Sequence, residues 1–151
     1  MNVLNNQLSS FFSEFGEGKT MVLSTEENHR VTSRMMSVVQ ISGVFYFQTD
    51  CNSRKYRQLT VNPFVSLCID NIQIDGECRI LGRPLDFPEF CGIYRKCFRG
   101  SFEAYSALSD ERLISVSPTY IQRWLYREGK PYVERFLIEE EAYSLDPYLG
   151  R

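Results

Sequence analysis

Apolar residues recur at helical spacing near the start of the chain, where Leu4, Leu8, Phe11, Phe12 and Phe15 share one face and Gly16 and Gly18 end the pattern. This predicts an amphipathic helix lying across a sheet. From Thr20 the period falls to two: residues 21–25 read as a strand, 26–29 as a polar turn and 30–41 as a long second strand closed by Ser42 and Gly43. Residues 44–48 form a nearly continuous apolar and aromatic run, the pattern of a central strand covered on both faces. The polar stretch 49–53 leads into a short helix over 54–60, which Asn62 and Pro63 end. Val65, Leu67 and Ile69 alternate with Ser66 and Cys68, and residues 77–83 alternate again, so two paired strands are expected. Phe87, Phe90, Cys91, Tyr94 and Phe98 line one helical face within 84–98, and the stretch to Glu111 mixes helix and loop. Strands over 113–116, 120–126 and 131–138 finish the set, the last two as a hairpin around Glu128, Gly129 and Lys130.

Hairpin-joined strands therefore dominate. No strand–helix alternation of crossover length occurs, and no G-x-G-x-x-G or P-loop string, which disfavours a doubly wound nucleotide fold. The expected class is mainly β with a few helices: a six-stranded antiparallel barrel whose closure removes its exposed edges. At 151 residues the chain fits a single domain, 1–151, and 43% hydrophobic residues supply a core and exclude disorder as its main state. The formal charge of −2 lacks the basic excess of a nucleic-acid binder. Apolar runs such as 44–47 fall far short of the ~20 residues of a membrane span, and residues 1–10 have neither a basic nor an apolar signal region, so a cytoplasmic location is expected.

Five cysteines without a C-x-x-C pair and a single histidine, His29, argue against a metal site. The thiols are expected free, with Cys68 and Cys78 as small core residues in strands. His29 falls in a polar turn without a partner, so no hydrolytic triad and no catalytic acid or base is assigned.

Arg54 and Lys55 follow Asn52 and Ser53 at the start of a helix, where cations oppose the macrodipole. A phosphate would remove the conflict, taking helix N–H groups, an Arg fork, a Lys charge and hydroxyls from Ser53 or Thr49. A solvated first turn capped by Ser53 fits the local pattern equally well. Arg34 interrupts a mainly apolar strand and needs an anion, either a ligand phosphate or a carboxylate at a strand end.

Together, Arg34-Met35-Met36-Ser37-Val38, Phe45-Tyr46-Phe47-Gln48-Thr49, Ser53-Arg54-Lys55, Gln58-Leu59 and Asn62-Pro63 resemble the FMN-binding split-barrel proteins related to pyridoxamine 5′-phosphate oxidase. The likeness spans about residues 20–83, with Gly82 matching a late barrel glycine; residues 84–138 would add a C-terminal helix and strands. The resemblance implies a homodimer holding FMN between subunits. Arg34, Ser53, Arg54 and Lys55 would surround the phosphate, Met35, Met36 and Ser37 would run along the flavin, and Gln48 and Thr49 would take the place of the family's Tyr-Thr pair. Val39 stands where the oxidases carry lysine, Glu77 where they carry glutamine, and residues 139–151 lack their Trp and Arg-x-His motif, which places pyridoxamine phosphate oxidation in doubt. Trp124, with Tyr120 and Tyr126, reads as core or dimer interface, residues 139–141 as a solvated acidic run, and Arg95, Lys96 and Arg99 as a solvated helix edge. The function implied is an FMN-dependent oxidoreductase acting on a small molecule. A non-catalytic flavin-binding or storage protein is the alternative, as is a relative binding deazaflavin or haem, for which His29 is a poor ligand.

Overall fold

The computed structural model describes residues 2–150; the parts of the terminal readings that fall on Met1 and Arg151 lie outside the described residues. The opening helix, α1 (Val3–Phe15), starts where the Asn2 side chain accepts the Asn5 N–H at 2.8 Å and stops at Gly16, whose φ of 86° suits a residue without Cβ. It buries Leu4, Phe11 and Phe15.

Strands β1 (Gly18–Glu27), β2 (Arg30–Ile41) and β3 (Val44–Asp50) follow, then α2 (Arg54–Val61), β4 (Phe64–Ile69) and β5 (Ile72–Gly82). After a 3-10 turn at Pro84–Asp86 come α3 (Pro88–Cys97), α4 (Arg99–Tyr105), β6 (Glu111–Arg127), β7 (Lys130–Leu137) and β8 (Ala142–Pro147). The strand order is β3-β2-β1-β4-β5-β6-β7-β8, and β3 also pairs with β6, so six antiparallel strands close into a barrel that β7 and β8 extend. Among the described residues no helix is long and apolar enough to cross a membrane.

The barrel is split on one side. β2 pairs with the whole of β1, from Val39 opposite Gly18 to Arg30 opposite Glu27. It pairs with β3 only through Val39, Gln40 and Ile41, because β3 then follows β6 from Phe45 to Asp50. Residues 30–38 of β2 consequently present an open backbone edge toward the diverging strand.

Met21, Leu23, Val38, Phe45, Phe47, Leu67, Ile74, Ile114 and Ile121 fill the interior. α1 plugs one end through Phe11 against Phe136 and Phe15 against Phe45, each with ring centroids 5.3 Å apart. Burying each such ring contributes about 1.5–3 kcal/mol. Outside the barrel, Phe90 and Tyr94 of α3 cover Val39 and Leu113 in a second cluster.

Four features depart from the sequence reading. β5 begins at Ile72, so its first half pairs with β4 directly across Asp70 and Asn71. β6 is one strand of 17 residues where two were expected. Pro118 is accommodated at a bulge: the register steps from Asp75–Tyr120 to Gly76–Pro118, leaving Thr119 over. Gly76 permits that approach, since a Cβ there would lie 2.6 Å from Val116 Cγ1 and 2.9 Å from the Ser117 carbonyl. The tail contains β8, anchored where Tyr143 Oη donates to Glu134 at 2.6 Å and Arg123 bridges Glu134 at 2.8 Å and Glu14 of α1 at 2.9 Å. Finally, Cys68 is exposed and only Cys78 of that pair is buried.

Candidate cofactor site

Arg34 points to the same side of β2 as Thr32 and Met36, beside the open edge, and is held on four oxygens. Nη1 donates to the Leu23 carbonyl at 3.2 Å and Thr25 Oγ1 at 3.0 Å; Nη2 donates to Thr32 Oγ1 at 2.9 Å and Gln58 Oε1 at 3.1 Å. All four partners are neutral. Gln58 comes from α2, one turn after Arg54, and its buried oxygen also accepts Thr25 Oγ1–H at 2.7 Å. Helix and strand thus orient the guanidinium without neutralising it.

Lys55, in the first turn of α2, reaches Thr49 Oγ1 at 3.3 Å, and Thr49 Oγ1 lies 3.1 Å from Ser53 Oγ. Ser53 also caps α2, accepting the Tyr56 N–H at 3.3 Å. Burial, then the nearby Arg54 charge, pull the Arg34 pKa down; burial, then Arg34, do the same to Lys55, against the opposing pull of Glu111 and Asp50. Among the described residues no carboxylate lies within ion-pair distance of Arg34, Arg54 or Lys55. Three mutually repelling cations, two of them partly desolvated and fixed by neutral groups, form a site complementary to a multiply charged anion.

The residues expected at a flavin site separate into three groups. Arg34, Thr49, Ser53, Arg54 and Lys55 come together around the α2 start. Met35, Met36 and Ser37 occupy the unpaired edge of β2, Met35 exposed and Met36 packed on the core. Gln48 sits apart: it projects from the opposite face of β3 to Thr49, beneath α4, where its Oε1 accepts Ser106 Oγ–H at 2.7 Å and its buried Nε2 has no partner in hydrogen-bond geometry. Residue typing alone passed over Thr25 and Thr32; their signal was alternation placing them beside Arg34 in the β1–β2 register. Gln58 was noted only within the Gln58-Leu59 string of the family resemblance, without a role at Arg34.

The sequence matches the family model for pyridoxamine 5′-phosphate oxidase over residues 8–125. The chain belongs to the pyridoxamine 5′-phosphate oxidase family. Solved structures share the fold at low identity. A pyridoxamine 5′-phosphate oxidase-related, FMN-binding protein from Nostoc punctiforme is 14% identical over 96% of this chain and 92% of its own, with a TM-score of 0.62. General Stress Protein 26 from Bacillus anthracis is 22% identical over 78% and 91%, with a TM-score of 0.58. The haem storage protein HutZ from Vibrio cholerae is 21% identical over 76% and 89%, with a TM-score of 0.59. A comparison with curated proteins finds no match. The matched span extends the likeness read from residues 20–83 back into α1 and on through most of β6.

Proposed function

We propose that this chain binds FMN in the split and acts as an FMN-dependent oxidoreductase on a small molecule, working as a homodimer with the flavin at the subunit interface. The observation that carries the reading is the trio of Arg34 on β2 with Arg54 and Lys55 at the start of α2, none of them in an ion pair among the described residues. Arg34 and Lys55 would hold the phosphate, with Thr49 and Ser53 hydroxyls beside them, and the open β2 edge at residues 35–37 would offer N–H and C=O groups to the polar rim of the ring. Bound FMN supplies two-electron transfer, which is why no protein acid or base has to carry the reaction. The protein's work is to fix the phosphate, orient the ring and shape a cavity beside it.

Dimerisation is supported by Val31, Met35 and Phe64, which expose 70%, 60% and 62% of their surface on the β1, β2 and β4 side of the barrel. A substrate other than pyridoxamine 5′-phosphate is supported by Val39. It stands where the oxidases carry lysine and is fully buried against α3, so no polar side chain reaches a ligand from there. Five unpaired thiols suit the reducing cytoplasm.

The test is to purify the protein without added cofactor, record its visible spectrum and identify by mass spectrometry what denaturation releases. FMN at about one per chain, bleached by NADH or NADPH and reoxidised by an acceptor, supports the enzyme. Bound FMN inert to both reductants supports a flavin-binding or storage protein instead. A haem spectrum would overturn the proposal; His29, exposed on the β1–β2 turn, offers such a ligand no pocket.

A further inference from the structure

Behind Lys55 lies a buried carboxyl that the cofactor reading leaves unused. β3 and β6 place Glu111 directly across from Asp50, so two acidic side chains share one face of the sheet. Asp50 is exposed and tied down, its Oδ1 accepting the Asn52 N–H at 2.6 Å, while Asn52 Nδ2 donates to Asp110 Oδ2 at 3.0 Å. Glu111 is 7% exposed and has no ion pair among the described residues.

The groups facing Glu111 come from every element around it. Asp50 and Gln48 approach from β3, Lys55 from α2 and Tyr94 from α3, while Ser106, just after α4, holds Gln48 in place. Gln48 Nε2 is near enough to favour ionised Glu111 yet falls outside hydrogen-bond geometry, so this nine-tenths buried donor is left unmatched at the centre of the cluster. Burial, then Asp50, push the Glu111 carboxyl above its ordinary value, and Lys55 chiefly opposes them. Lys55 is therefore shared between Glu111 on one side and the Arg34 anion site on the other.

We propose that Glu111 couples anion binding in the split to uptake of one proton from solvent, making it a specificity-determining residue for phosphorylated ligands. The inference rests on the phosphate reading of Arg34, Arg54 and Lys55. A phosphate drawn to these cations engages the Lys55 ammonium and brings negative charge toward Glu111. Both changes favour the neutral carboxyl, and the balance is one carboxylate plus one proton giving one carboxylic acid. A group whose pKa rises on binding tightens affinity as pH falls from its bound-state to its free-state value.

Calorimetric titration of FMN and of riboflavin, in buffers of different ionisation enthalpy between about pH 6 and 8, reads the proton count directly. The wild type should take up more protons per FMN than Glu111→Gln, since the phosphate's own titration is common to both. Glu111→Gln should bind FMN about tenfold more tightly at the alkaline end, a one-unit shift being tenfold in equilibrium constant. Riboflavin should not distinguish the two proteins. Asp50→Asn, at an exposed position, should move the pH of tightening downward, which keeps the test open if Glu111→Gln folds poorly. Equal proton uptake and equal FMN affinity in wild type and variants, with FMN still preferred over riboflavin, would overturn the role of Glu111 alone. No preference for FMN over riboflavin in any protein would overturn the phosphate reading and this inference with it.

Discussion

Gln58→Glu should raise or hold stability while destroying anion binding, and the opposite signs make it the most informative single substitution. Gln58 Oε1 receives Arg34 Nη2 at 3.1 Å and the Thr25 hydroxyl at 2.7 Å, and the side chain is almost wholly buried. Glutamate keeps the shape and both acceptor contacts but turns a neutral bond to Arg34 into a charge-assisted one. Such bonds contribute about 1.5–3 kcal/mol against about 0.5–1.5 for neutral ones. Desolvating the new carboxylate offsets much of that gain, so the net change should lie between about 0 and +1.5 kcal/mol, or up to about 5 °C in Tm. The same charge repels a phosphate at Arg34: two unit charges about 6 Å apart at an effective dielectric of about 20 cost about 3 kcal/mol, roughly a hundredfold in affinity. Thermal melts of the cofactor-free protein and FMN fluorescence titrations check the two signs. Unchanged FMN affinity, with Arg34 newly paired to a carboxylate, would refute the reasoning.

Replacing Arg54 and Lys55 together by alanine should abolish FMN retention while changing the melting temperature of the cofactor-free protein by no more than a few degrees, because it also relieves like-charge repulsion on Arg34. Gly76→Ala should destabilise by about 1–3 kcal/mol in urea unfolding, since its Cβ would meet the Ser117 carbonyl at 2.9 Å; a change under about 0.5 kcal/mol would show that the bulge can move aside. Glu134→Ala should cost about 1.5–3 kcal/mol by taking the buried partner from Arg123, which keeps only the exposed Glu14, and by releasing Tyr143, with β8 the first element to lose hydrogen-exchange protection. Burial, helped by Glu77, pushes the Cys78 thiol up to about 12. Alkylation of the native protein at pH 8 should therefore label exposed Cys68 and spare Cys78. Because the folded value is raised, the stability this thiol contributes is whole below the unfolded value of 9.0 and is lost as pH climbs from there toward about 12.

Where one physical signal decides an element, the sequence was enough. Residues 30–41 match β2 to the residue, because turn residues with positive φ bound it on both sides, Asn28 and His29 before it and Ser42 and Gly43 after it. α1 was equally plain from the spacing of its aromatic residues. Pro118 misled, since a proline inside a strand pattern reads as a break unless the partner strand supplies a glycine at a bulge, and Gly76 lies over forty positions away. β8 was hidden because Ala142–Pro147 buries no residue fully, so neither an apolar run nor a sharp alternation marks it as a strand. At the site, the cations were legible as residues out of place on a strand and at a helix start. The hydroxyls of Thr25 and Thr32 that complete the neutral frame of Arg34 were not, because ordinary polar residues gain meaning only once the register sets them around a guanidinium. Gln48 shows the converse: adjacent to Thr49 in sequence, it belongs to the opposite face of β3.

The most direct measurement of the central claim compares FMN with riboflavin by fluorescence titration of the cofactor-free protein at fixed salt. The two ligands differ only in the phosphate that Arg34, Arg54 and Lys55 are arranged to receive. Affinity for FMN at least about a hundredfold greater, falling as salt is raised, is the expected result, since each charge-assisted contact contributes about 1.5–3 kcal/mol. Equal affinities, or no binding of either, would contradict a phosphate cradle in the split.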